Sequence, residues 1–257
     1  MKKLFCLVLA LALSLTALSA LADTLVMGID PEYPPFSYMD DSGEYTGFDV
    51  EVCKAVCDLL GYDLEIFTVD WDFKLIQLDS RECDFIWSGM TILDSMKEAG
   101  YVISTPYYDN TQVLVVKKDS GIASSADLAG KYVAVQRGTS GEALLNGDLQ
   151  EMTATFGKLV TCQSFLICFT ELDASGVDAV FVDLPVARNY VSGRDDLTIL
   201  DESLGAEQYG IAFRSGDAEL CAKIDGAVQE LVANGTYAEI AAKYPDIINN
   251  LLFLNAE

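Results

Sequence analysis

The chain has 257 residues, of which 51% are hydrophobic and 22% charged. That composition supports a packed core, in one large domain or two modest ones, and argues against disorder. Forty acidic residues against sixteen lysines and arginines leave a net charge of −24, which opposes binding to nucleic acid or anionic lipid. The sequence contains no histidine, so Ser-His and Cys-His catalysis and most zinc sites are excluded.

Residues 1–22 have the composition of a secretory signal peptide. Lys2 and Lys3 supply the positive start, Leu4 to Leu18 the apolar run, and Ala20-Leu21-Ala22 a cleavage site before Asp23. The apolar run is shorter than the roughly 20 residues of a membrane span. Cleavage removes two lysines and no acid, which moves the charge from −24 to −26. Cys6 leaves with the leader, and six cysteines remain in an oxidising compartment. Buried thiols and disulfides are both open to them, although Cys53 and Cys57, four apart on one predicted helix, are badly placed to bridge.

Strand and helix signals then alternate, which is an α/β pattern. Strands are predicted over 25–29, 64–69 and 83–87, with helices over 49–60 (stopped by Gly61) and 73–80. An apolar strand covers 111–117. A short helix from Ser124 or Ser125 to Gly130, a strand over 131–136 and a helix from Gly138-Thr139-Ser140 to Asn146 come next, with Ser/Thr capping as the local cause. Strands over 158–162 and 177–183 each lead into a helix, one capped by Ser164 and one with Pro185 in its first turn. A strand over 209–213 precedes helices over 217–233 and 236–243. Proline-, glycine- or serine-rich linkers and internal repeats are missing from the sequence.

Several segments, in order, resemble the extracellular solute-binding proteins of family 3, which deliver polar amino acids to ABC transporters. They are D-x-x-Y-P-P-F at Asp30–Phe36, Gly47-Phe48-Asp49-Val50, and the run from Asp84 through Gly89-Met90-Thr91 to Ser104-x-Pro106-Tyr107-Tyr108. Gln136–Ser140, VDAVFVD at 177–183 and YGIAF at 209–213 complete the set. The resemblance implies a two-lobed, periplasmic-binding-protein-like (type II) α/β fold with two hinge strands and a ligand cleft between the lobes. Lobe 1 would take residues 23–110 and 207–257, and lobe 2 residues 111–206.

The same resemblance assigns roles. Asp183, at the carboxyl end of a strand where open α/β sheets place ligands, would hold the ligand's ammonium, although an aspartate there also serves as a helix N-cap. Tyr33 and Trp71 would pack on its side chain, with Asp30 nearby as a further acid. Ser88, Gly89 and Thr91 on one lobe, and Gln136, Thr139 and Ser140 on the other, would face the ligand. The family grips the α-carboxylate with an arginine, and this chain has Met96 at that position. Methionine cannot form the bidentate charged pair. Three explanations stay open: Lys97 or Arg137 substitutes, the ligand is an amine without the carboxylate, or the binding function has changed.

The implied function is a non-catalytic, monomeric, periplasmic or extracellular receptor. It would close on an amino acid or related amine and present it to an ABC permease, with no cofactor or metal. The rival is a cyclohexadienyl or prephenate-type dehydratase on the same fold, which would need a well-placed general acid.

Overall fold

The computed structural model describes residues 23–255, so the leader read from residues 1–22 lies outside them. In chain order, β1 (Thr24–Ile29) is followed by a small antiparallel meander of β2 (Glu32–Tyr33), β3 (Ser37–Met39) and β4 (Tyr45–Thr46). Next come β5 (Asp63–Thr68), β6 (Phe85–Ile86), β7 (Val102–Ile103) and the long β8 (Tyr108–Lys117). The remaining strands are β9 (Tyr132–Gln136), β10 (Lys158–Cys162), β11 (Ala179–Asp183), β12 (Leu197–Ile199), β13 (Ala206–Tyr209) and β14 (Ala212–Phe213).

These strands form two open sheets and hence two lobes. The first has the order β5-β1-β6-β14-β7, the second β10-β9-β11-β8-β12. In the first, β1 runs parallel to β5 and β6, while β14 is antiparallel to its neighbours. The chain crosses between the sheets along β8 and β13, which pair antiparallel with Asn110 opposite Glu207 and Tyr108 opposite Tyr209.

Local sequence explains the supports of each sheet. The helix Phe48–Leu60 buries Phe48, Val52, Cys53, Val56 and Cys57, a stripe at three- and four-residue spacing. Gly61 ends it in the left-handed region, at φ 76°. That stripe packs on the helices Ala218–Asn234 and Thr236–Ala241. In the second lobe, Ser164 caps the helix Phe165–Asp173 by accepting from the Ile167 N–H. This helix and Ser140–Asn146 both pack on β9 and β11.

Two predicted strands are shorter or divided. The run over 83–87 keeps only Phe85–Ile86 as strand, because the chain begins to turn at Trp87. The run over 209–213 breaks at Gly210-Ile211 into a hinge strand and a strand of the first sheet. Gly210 fits there because a Cβ would lie 2.8 Å from the Ile92 side chain. All six cysteines of the described residues are buried free thiols. Phe36 and Trp87 are core residues.

Candidate functional site

One cavity lies where the two lobes meet. It is lined by Tyr33, Trp71, Lys74, Gly89, Met90, Thr91, Leu93 and Met96 from the first lobe, and by Gly138, Thr139, Ser140 and Asp183 from the second. Its volume is about 30 Å³, room for a water or two and too little for an amino acid. The two lobes are drawn together over the cavity.

Several contacts cross the gap. The Gln136 side chain donates to Asp30 Oδ2 at 2.7 Å. The hydroxyls of Thr91 and Ser140 lie 3.1 Å apart. Lys74 Nζ donates to the Gly138 carbonyl at 2.6 Å. Gly138 itself is pressed against the other lobe: a Cβ there would lie 2.7 Å from Asp72 Cα, and its φ is +73°. Both the close approach and the left-handed backbone require glycine.

Asp183 is the acid on the cavity wall, and its surroundings are built by the hinge. The strand β11 ends on it, and Pro185 starts the next helix. Its side chain makes no capping bond to that helix. Oδ1 instead accepts from Asn110 Nδ2 at 2.7 Å, Gln112 Nε2 at 2.8 Å and the Tyr209 hydroxyl at 2.9 Å. Because Tyr209 gives its proton to Asp183, Tyr33 donates to Tyr209, at 2.7 Å. Glu207, across the hinge pair from Asn110, accepts from Thr91, Asn110 and Gln112. Burial, and then the carboxyl of Glu207, push Asp183 up to about 8. A buried carboxyl beside a second, half-buried one resists a second negative charge, and a cation beside the pair would relieve that resistance.

The other residues named from sequence divide. Tyr33, Trp71, Gly89, Thr91, Thr139 and Ser140 line the cavity with Asp183. Gly89 has φ +53°, and a Cβ would collide with the Tyr33 ring. Its N–H is already given to Asp49, which also accepts from Tyr107. Burial pushes Asp49 up to about 7 against those hydrogen bonds. Thr139 caps the helix that follows by accepting from Glu142 N, and it donates to the Gln136 carbonyl. Asp30 and Gln136 pair with each other and border a neighbouring opening of about 390 Å³, shared with Trp71. Desolvation raises Asp30.

Three residues stand elsewhere. Ser88 is fully buried and off the cavity wall, where it accepts from the Asp30 N–H and bonds the Ser37 hydroxyl. Lys97 sits on the surface beside Asp94, at 3.4 Å, because the turn of the helix Asp94–Glu98 that buries Met96 turns the next residue outward. Arg137 is exposed and borders a separate opening with Asp70, Asp72 and Gln163. Neither of the two cations proposed to replace the arginine reaches the cavity. The basic residue that does is Lys74, in the first turn of the helix Lys74–Asp79, and sequence reasoning passed over it, as it did Glu207, Asn110 and Gln112.

Two lobes on a paired-strand hinge, closed over a cavity with a buried acid and aromatic walls, define a solute-binding protein. The model of the bacterial extracellular solute-binding proteins, family 3, matches residues 25–246, and the chain belongs to that family. It is 32% identical to the L-cystine-binding protein TcyJ of Escherichia coli K12, over 86% of this chain and 82% of that protein. It is 34% identical to the arginine-binding extracellular protein ArtP of Bacillus subtilis 168, over 86% and 85%. A histidine-bound substrate-binding protein of an ABC uptake transporter from Streptococcus pneumoniae has a TM-score of 0.82 at 28% identity, covering 86% of this chain and 92% of that one. These relatives are binding proteins, and this chain is a solute-binding protein of the same family. No helix among the described residues is long and apolar enough to cross a membrane, and no group of three or more cysteine, aspartate or glutamate side chains among them is placed to hold a metal ion.

Proposed function

We propose that this chain is a monomeric receptor exported by its leader, which closes on an amino acid or related small amine and presents it to a membrane permease. The lobes would be residues 23–110 with 207–257, and residues 111–206, moving about the paired strands β8 and β13. The observation that carries the reading is Asp183: a carboxyl only 3% exposed, held by three donors on a cavity wall and short of a positive partner. A ligand ammonium supplies that partner. Tyr33 and Trp71 offer aromatic faces to the rest of the ligand, and cations attract such faces by roughly 0.5–2 kcal/mol. The cystine-, arginine- and histidine-binding activities named for the relatives support an amino acid of that kind.

Isothermal titration of the mature chain with L-arginine, L-histidine and L-cystine, alongside their decarboxylated amines, tests the reading. Saturable binding of at least one compound, weakened about thirtyfold or more by Asp183→Asn, is the expected result. Binding that persists unchanged in that variant would refute Asp183 as the ammonium partner.

A further inference from the structure

We propose that Lys74 is the carboxylate partner of this receptor, so that its ligand is an α-amino acid with both charged groups held. This rests on the reading of Asp183 as the ammonium partner. Met96 lines the cavity with its thioether, 4% exposed, and brings no charge to it. Of the twelve residues on the cavity wall, Lys74 is the only base. It approaches from a helix that starts three residues after Trp71, so its ammonium also lies 4.9 Å from the centre of the indole ring.

Its hydrogen bonding is incomplete in an informative way. An ammonium has three donors, and two are used, on the carbonyls of Trp71 at 3.0 Å and Gly138 at 2.6 Å. None of the ion pairs among the described residues includes Lys74. A partly desolvated cation without a carboxylate partner is unfavourable. Desolvation lowers it to about 8, although Asp72 and Glu142 act in the opposite direction. An anion in the cavity would take the remaining donor and supply the missing charge. The bond to Gly138 adds a second consequence: it ties Lys74 to the second lobe, so the lysine stands at the seam that the two lobes share. Asp183 stands on the second lobe and Lys74 on the first. A zwitterion between them bridges the lobes with opposite charges at its two ends, and a simple amine does not.

The test compares each amino acid with its own carboxamide, which keeps the ammonium and side chain and removes the negative charge. L-arginine, L-histidine and L-cystine with their amides are titrated into wild type, Lys74→Met, Lys74→Arg and, as a surface control, Lys97→Ala, each checked by its unliganded melting curve. The wild type should favour acid over amide by about thirtyfold or more, the range for truncating one partner of a buried charge pair. Lys74→Met should bring that ratio close to one, while Lys74→Arg and Lys97→Ala preserve most of it. If Lys74 acts only as a latch between the lobes, Lys74→Met weakens acid and amide equally and the ratio survives, which overturns the assignment. Equal affinity of the wild type for acids and amides also overturns it, but leaves the receptor standing. If the wild type binds no acid and no amide, the reading of Asp183 as the ammonium partner for these amino acids fails and the role of Lys74 fails with it.

Discussion

Replacing Asp183 by asparagine should weaken binding and strengthen the empty protein. Removing one member of a desolvated charge pair costs about 2–5 kcal/mol, or roughly thirtyfold to several thousandfold in Kd. The carboxamide oxygen can still accept from Asn110, Gln112 and Tyr209, so the hinge contacts need not break. Stability moves the other way. The folded protein holds the Asp183 proton up to about 8, against an ordinary value of 3.8, because burial and Glu207 oppose its ionisation. The native state therefore binds that proton more tightly than the unfolded chain, and the stability this contributes at low pH is lost as pH rises from about 4 to 8. Asparagine has no such loss. Unliganded Asp183→Asn should melt close to wild type near pH 4 and several degrees or more above it near pH 8.5, at about 2–4 °C per kcal/mol for a chain of this size. Calorimetric titration and scanning calorimetry across pH measure both halves. A variant that binds normally, or one that melts below wild type at alkaline pH, would refute the reasoning.

Ligand affinity should be greatest around pH 8: Asp183, raised to about 8, must ionise to hold an ammonium, and Lys74, lowered to about 8, must stay protonated to hold a carboxylate. Titration across pH should show both limbs, and Lys74→Arg should remove the alkaline one. Gly138→Ala places a methyl 2.7 Å from Asp72 Cα at a residue with φ +73°, which should hold the lobes apart and weaken binding tenfold or more; small-angle scattering that shows ligand-induced compaction equal to wild type would contradict this. Gln136→Ala removes the side chain that pairs Asp30 across the gap, with an expected loss of about 1–3 kcal/mol of closed-state stability for the stranded acid. An unchanged dissociation rate in stopped-flow measurements would count against that latch. Asp49, raised to about 7 from 3.8, should make thermal stability decline between pH 4 and 7, and Asp49→Asn should flatten the decline.

The fold was largely legible because its signals are local. Alternation of apolar runs, Gly61 after the first long helix, and Ser164 and Thr139 as caps each act within a few residues. Most of the aromatic and hydroxyl lining was legible through the family motifs, and those residues do share one cavity. What escaped depends on distant chain segments meeting. Lys74 follows Asp72 and Phe73 in what looks like an ordinary solvated first turn. Its role depends on Gly138, 64 residues later. Glu207 and Asn110 are 97 residues apart and meet only through the register of β8 with β13. Lys97 illustrates the opposite error: adjacency to Met96 in sequence points it away from Met96 in a helix, where neighbours three or four apart share a face.

The position of β14 also constrains the order in which the molecule can form. Ala212–Phe213 lies between β6 and β7 in the first sheet, so that sheet has a gap until a segment near the end of the chain has been made. The second sheet takes β8 to β12 from one continuous stretch, residues 108–199, with β13 added only along β8. During synthesis the middle of the chain can therefore fold before the beginning can, and the first-made strands must wait, with β6 and β7 unjoined, for residues 212–213 to close them.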